Sequence, residues 1–179
     1  MKKPTQHRAQ RGTQPWHYTV GARLPLILSS GEIRCSTAHL PDGERPAVWT
    51  SLDPVWEPTV EKAWRSPDGK VLPIDKEQLR RLGGGLFRIG VPLDAVPVDW
   101  AGYVRDAGSP PEALRHLVTV AARKGADYLG WRVSFEPIAR ARWTAIERWS
   151  GAAWEPLEAP SRGPAAPSGA PPTTPDAGA

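Results

Sequence analysis
His17 stands in the stretch Pro15-Trp16-His17-Tyr18-Thr19-Val20, whose residue types favour an extended strand. On such a strand His17 faces one way, and Trp16 and Tyr18 the other. A neutral imidazole donates one hydrogen bond and accepts another. His17 is therefore either a ring packed into the core or a group that holds a polar ligand. A second set of groups lies in Ala47-Val48-Trp49-Thr50-Ser51 and the residues after it. Trp49 and Trp56 each sit beside polar residues where a strand gives way to a loop. An indole there either fills the core or stacks on a flat ligand.

Other chemistries lack their residues. Cys35 and His39 are four apart, a spacing that joins thiol and imidazole only on a helix, and the following Pro41-Asp42-Gly43 signals a loop. Gly83-Gly84-Gly85 is followed by neither Lys-Ser/Thr nor a second glycine fingerprint, so it stops a helix and does not cradle a phosphate. His7, His17, His39 and His116 have no metal-ligand spacing, and no metal site is expected. Neither HExxH nor Gly-x-Ser-x-Gly occurs. A single cysteine excludes a disulfide framework within the chain.

Charge narrows the partners. The formal net charge is +4, but residues 1–14 alone carry Lys2, Lys3, Arg8 and Arg11 with no acid. Residues 15–155 hold 18 basic against 17 acidic side chains, which is not the footprint of a duplex binder. The basic arm could touch nucleic acid weakly. The arm has no apolar core of a secretory signal, and no run of apolar residues is long enough to span a membrane. The simplest location is cytoplasmic, with no membrane partner. All nine Trp lie between Trp16 and Trp154, and from Pro156 onward the chain is mostly Pro, Ala, Gly, Ser and Thr. Residues 1–14 and 156–179 are expected to be disordered ends around one domain, 15–155.

The elements that position these groups follow from periodicity. Trp16 to Thr19 reads as a strand. Leu24, Ile27 and Leu28 share one helix face behind Pro25, and Gly31 stops that helix. Ile33 begins an extended piece, and Ala47 to Ser51 is a second strand. A short helix is expected over Thr59 to Trp64. Asp75 and Gln78 read as a capping box opening a helix through Leu82. Leu86 to Val91 is a strand, Pro110-Pro111 opens a helix closed by Gly125, and Trp131 to Phe135 is a late strand. Trp143 to Trp154 reads as a terminal hairpin. Many strands with few, short helices predict an α+β domain with a mixed or antiparallel, split sheet.

Three of these pieces carry a family pattern. In WHYTVGARLPLILSSGEIR, His17 and Thr19 precede Leu24, Ile27, Leu28 and Gly31 in the form L-x-x-I-L-x-x-G. ERPAVWTSLDPVWEPTVEKAW and LGWRVSFEPI follow in order. Together they resemble the ADP-ribosyltransferase superfamily. The branch concerned has His-Tyr-Glu signatures and includes the diphtheria-toxin-like and poly(ADP-ribose) polymerase enzymes and, more distantly, RNA 2′-phosphotransferases. The chain also resembles a set of bacterial proteins with HYT near the start and an AVWxS…WEPT block, which supplies no activity.

The resemblance implies an NAD-dependent ADP-ribosyltransferase (a glycosyltransferase) of toxin or effector type. NAD would be its substrate and a protein or nucleic acid its macromolecular acceptor. The alternative is a catalytically degenerate nucleotide- or protein-binding module of the same fold. A third reading is a Trp-rich interaction surface tethered by the tails. By the resemblance, His17, Tyr18, Thr19, Trp49 and Ser51 bind the dinucleotide. His17 would hydrogen-bond the nicotinamide ribose, Trp49 would replace the family tyrosine as the stacking ring, and Ser51 would reach the carboxamide or ribose. A carboxylate beside the bond being broken would stabilise its oxocarbenium character. The family glutamate falls at the start of the late strand, where this chain has Leu129-Gly130-Trp131. Glu136 after that strand is the candidate catalytic acid alongside His17, with Asp127 before it and Glu57 beside Trp56 as the other acids.

Overall fold
The computed structural model describes residues 12–38, 40–61, 64–65 and 68–157. Along them run β1 Trp16–Val20, α1 Leu24–Ser30, β2 Glu32–Ile33, β3 Val48–Ser51, β4 Trp64–Arg65 and β5 Val71–Leu72. Then follow α2 Lys76–Leu82, β6 Leu86–Gly90, α3 Trp100–Asp106, α4 Pro111–Lys124, β7 Trp131–Ser134, β8 Ile138–Ala139, β9 Ala145–Trp149 and β10 Trp154–Pro156. The fold is α+β. Its centre is a six-stranded sheet in the order β10-β9-β6-β1-β3-β7, flanked by two-stranded pieces β2-β8 and β4-β5. Every strand pairing given among the described residues is antiparallel.

The local signals act as chemistry requires. Gly31 ends α1 at φ 69°, a left-handed conformation that glycine reaches without a Cβ penalty. Asp75 and Gln78 form the full reciprocal capping box of α2. Pro111 opens α4, where its missing N–H costs nothing, and Gly125 closes it.

Two elements differ from expectation. The helix expected over Thr59 to Trp64 is a single 3-10 turn, Pro58–Val60, and Trp64–Arg65 pairs with Val71–Leu72 instead. The Lys124 ammonium takes the Glu61 carbonyl at 2.8 Å, a carbonyl that a continuing helix would need for itself. The helix α3 has no counterpart in the sequence reading. Asp99 nucleates it by accepting the Gly102 N–H at 2.9 Å.

The sheet has two unlike sides. Register sets Thr19 against Phe87 and His17 against Ile89, so the side bearing His17 also bears Phe87 and Ile89. There an aliphatic core of Leu24, Ile33, Val48, Phe87, Ile89, Val91, Val96 and Ile138 is covered by α1 and the β2-β8 pair. The other side bears Trp16, Tyr18, Trp49, Ser51, Arg88 and Trp131. Tyr103 of α3 and Ala107 at its end pack there against Ala47 and Val133, with Leu114 and Leu117 of α4 beside them.

Within the sheet, β1 and β6 share five register pairs, whereas β1 and β3 share one, Trp16 with Ser51. The sheet is thus split between β1 and β3. The expected disordered ends lie largely outside the described residues. Within the described part, the Gly12 N–H donates to the Leu52 carbonyl at 2.7 Å, and the Leu157 N–H donates to Ile146 at 2.8 Å. No helix among the described residues is long and apolar enough to cross a membrane.

Candidate functional site
The split between β1 and β3 is bridged by a side chain. The His17 Nδ1 lies 3.0 Å from the Trp49 carbonyl oxygen. A carbonyl only accepts, so Nδ1 carries the hydrogen. Burial pushes the imidazole below its ordinary value, and the Trp49 bond opposes that shift. The ring is therefore held neutral, with a lone pair on Nε2. Nε2 has no hydrogen-bond partner among the described residues, yet it is not one of their buried unsatisfied atoms. His17 is half-buried.

Strand parity divides the other expected site residues. Thr19 shares the His17 side and is half-buried. Glu136 lies two residues beyond Ser134, whose hydroxyl accepts the Glu136 N–H at 3.1 Å. Its charge raises the pKa of Cys35, behind the burial of that thiol, and Cys35 packs on the aliphatic core. Glu136 is exposed and lies beyond the end of β7.

Tyr18, Trp49 and Ser51 occupy the opposite side. The Tyr18 hydroxyl donates to the Asp53 carbonyl at 2.6 Å, and burial raises its pKa. The Trp49 ring meets Tyr103 at 4.5 Å and Trp131 at 5.6 Å between ring centres. Ser51 is buried, and its hydroxyl accepts the Asp53 N–H at 3.1 Å. The two acids named as alternatives also have local duties. Asp127 caps the turn Tyr128–Gly130.

Glu57 is the one carboxylate among the buried polar residues described. One of its oxygens accepts from Thr59 N–H and hydroxyl, at 3.2 and 2.6 Å, and the other from the Trp131 indole at 3.0 Å. Three donors solvate the charge that burial strips of water. His39, four residues after Cys35, lies outside the described residues.

Farther along the aromatic side, two cations stand among indoles. The Arg88 guanidinium lies 3.8 Å from the Trp16 ring centre and 4.6 Å from that of Trp154, while its Nε donates to Glu147 at 2.7 Å. Lys76 of α2 points its ammonium at Trp149, Trp56 and Trp154. Sequence reasoning passed over both. Only Trp149 and Trp154 could have been found, because a hairpin through Ser150-Gly151 makes them register partners. No group of three or more His, Cys, Asp or Glu among the described residues is placed to hold a metal ion.

Compared with models of known protein families, with curated proteins and with solved structures, the chain matches none.

Proposed function
We propose that the chain binds NAD at the split beside His17 and acts as an ADP-ribosyltransferase-like protein on a macromolecular acceptor. One observation carries the reading: a neutral imidazole, fixed through Nδ1 to the Trp49 backbone where the sheet parts, keeps on Nε2 a lone pair that no described residue engages. That lone pair would accept a ribose hydroxyl, with the Thr19 hydroxyl two residues along the same side. Glu136, beyond the end of β7, has a carboxylate that no side-chain hydrogen bond among the described residues engages.

In the proposed reaction the bond between nicotinamide and the ribose breaks. Nicotinamide leaves with the electron pair, and an acceptor nucleophile bonds the ribose carbon and gives up its proton. A carboxylate near that carbon favours the cationic transition state.

A second reading is favoured by the placement of Trp49. Its ring is packed against Tyr103 and Trp131 on the far side of the sheet, away from His17. Without that stacking ring the same cleft would bind a nucleotide and transfer nothing.

Titration with NAD and ADP-ribose separates the readings. Both predict that the melting temperature rises with ligand and that His17→Ala removes the rise. Only the first predicts labelled ADP-ribose on a lysate component, lost in Glu136→Gln. Absence of any ligand-dependent shift would falsify both.

A further inference from the structure
Three indoles stand around the ammonium of Lys76. The ring centres of Trp149, Trp56 and Trp154 lie 3.3, 4.8 and 5.5 Å from Nζ. Two of the rings are held by hydrogen bonds before any ligand arrives. The Trp56 indole N–H donates to Glu61 at 2.8 Å, and that of Trp154 to the Val55 carbonyl at 2.9 Å. Tyr18 backs them, with its ring centre 5.3 Å from Trp56 and 5.6 Å from Trp154. Glu61, shared with Lys124, adds a carboxylate beside the rings. All three indoles are half-buried, so their faces are gathered but not sealed.

Lys76 fits this setting poorly. A primary ammonium has three donors, and Nζ makes no hydrogen bond or ion pair among the described residues. Burial lowers its pKa, and the Arg88 charge adds to the effect. A methylated ammonium has the charge that indole faces attract and few or no donors to satisfy. Lys76 can also leave without unwinding α2, because the cap of that helix is made by Asp75 and Gln78.

We propose that Trp56, Trp149 and Trp154 form a binding site for a quaternary ammonium group, occupied in the free protein by Lys76 as an intramolecular stand-in. A trimethylated lysine side chain and a choline headgroup both carry that chemistry. The site is separate from the split beside His17, and failure of one reading leaves the other standing.

The test titrates the full chain with tetramethylammonium chloride, following the indole N–H signals by NMR against sodium chloride at equal ionic strength. Lys76→Met removes the tethered competitor and keeps an apolar stem, so the probe should bind this variant about tenfold more tightly than the parent. Adding Trp149→Phe should weaken binding severalfold, and Trp149→Leu should abolish it; thermal melting checks that each variant is folded. Equal affinity in the parent and Lys76→Met, or binding that survives Trp149→Leu in a folded variant, overturns the proposal. If Trp149→Leu does not fold, undiminished binding in Trp149→Phe overturns it instead. An acetylated trimethyllysine amide and phosphatidylcholine vesicles then identify the source: binding of either supports the site, and binding of neither overturns it.

Discussion
His17 couples the centre of the sheet to the acidity of the solution. Its folded pKa lies below the ordinary 6.5 because its surroundings penalise the imidazolium. Between those two values the unfolded chain holds a proton that the folded chain refuses, so stability rises with pH across that window and is lost as the pH falls back through it. Denaturant midpoints measured from about pH 7 to about pH 5.5 should fall more steeply for the parent than for His17→Gln. Matching slopes would mean that His17 is not held neutral. At the same scale, the buried Glu57 side chain accepts from three donors, which suits a brace between the loop after β3 and the start of β7.

Among the elements, the turn from β1 into α1 depends on two close backbones. The Gly21 N–H donates to Gly85 at 3.0 Å and the Ala22 N–H to Gly83 at 2.9 Å. A Cβ on Gly21 would stand 2.1 Å from the Gly84 carbonyl oxygen. Gly21→Ala should therefore cost about 2 kcal/mol or more, since backbone must move. Gly31→Ala meets no atom within 4 Å and should cost only the left-handed backbone penalty, about 1 kcal/mol. Chemical denaturation of the two variants checks the order, and a reversed order would show that the glycine loop yields freely.

This contact also marks what sequence alone could reach. Gly83-Gly84-Gly85 was readable as a helix stop, but not as the floor under Gly21, which lies some sixty residues earlier. Periodicity and caps made β1, α1, β3, α2, β6, α4, β7 and the final hairpin legible. The pieces β2, β4, β5 and β8 are two residues each, too short for any period to register in a sequence, although Ile33 was read as extended. Helix α3 carries a glycine, a β-branched residue and two rings within seven residues, a composition that masks its pattern. The site was half legible. Alternation along β1 already separates His17 from Tyr18. Which side Trp49 and Ser51 take depends on the register of Trp16 with Ser51, a pairing between distant segments whose slip by one residue would exchange the sides.

For the whole molecule, the two sides of the sheet are held by different physics. The aliphatic side rests on area removed from water. The aromatic side encloses charge: Arg88 is buried between two indoles and bonded to Glu147, whose side chain is 17% exposed. Removing one partner leaves the other charge without its counterion, so Glu147→Ala should cost about 3 kcal/mol. Replacing both with Arg88→Met and Glu147→Leu should cost much less than the single change. Equilibrium unfolding of the single and double variants decides this, and an additive result would show that the pair is not a unit.

The crowding of Trp56, Trp149 and Trp154 has an optical consequence. Their ring centres are 5.3 to 6.3 Å apart along the chain of contacts, at fixed and unequal tilts. Chromophores so placed share their excited states, and a chiral arrangement of them rotates light differently from isolated rings. The molecule therefore carries an intrinsic spectral marker of its own hairpin, one that fades when β10 separates from β9 and leaves the signals of the distant Trp49 and Trp131 in place.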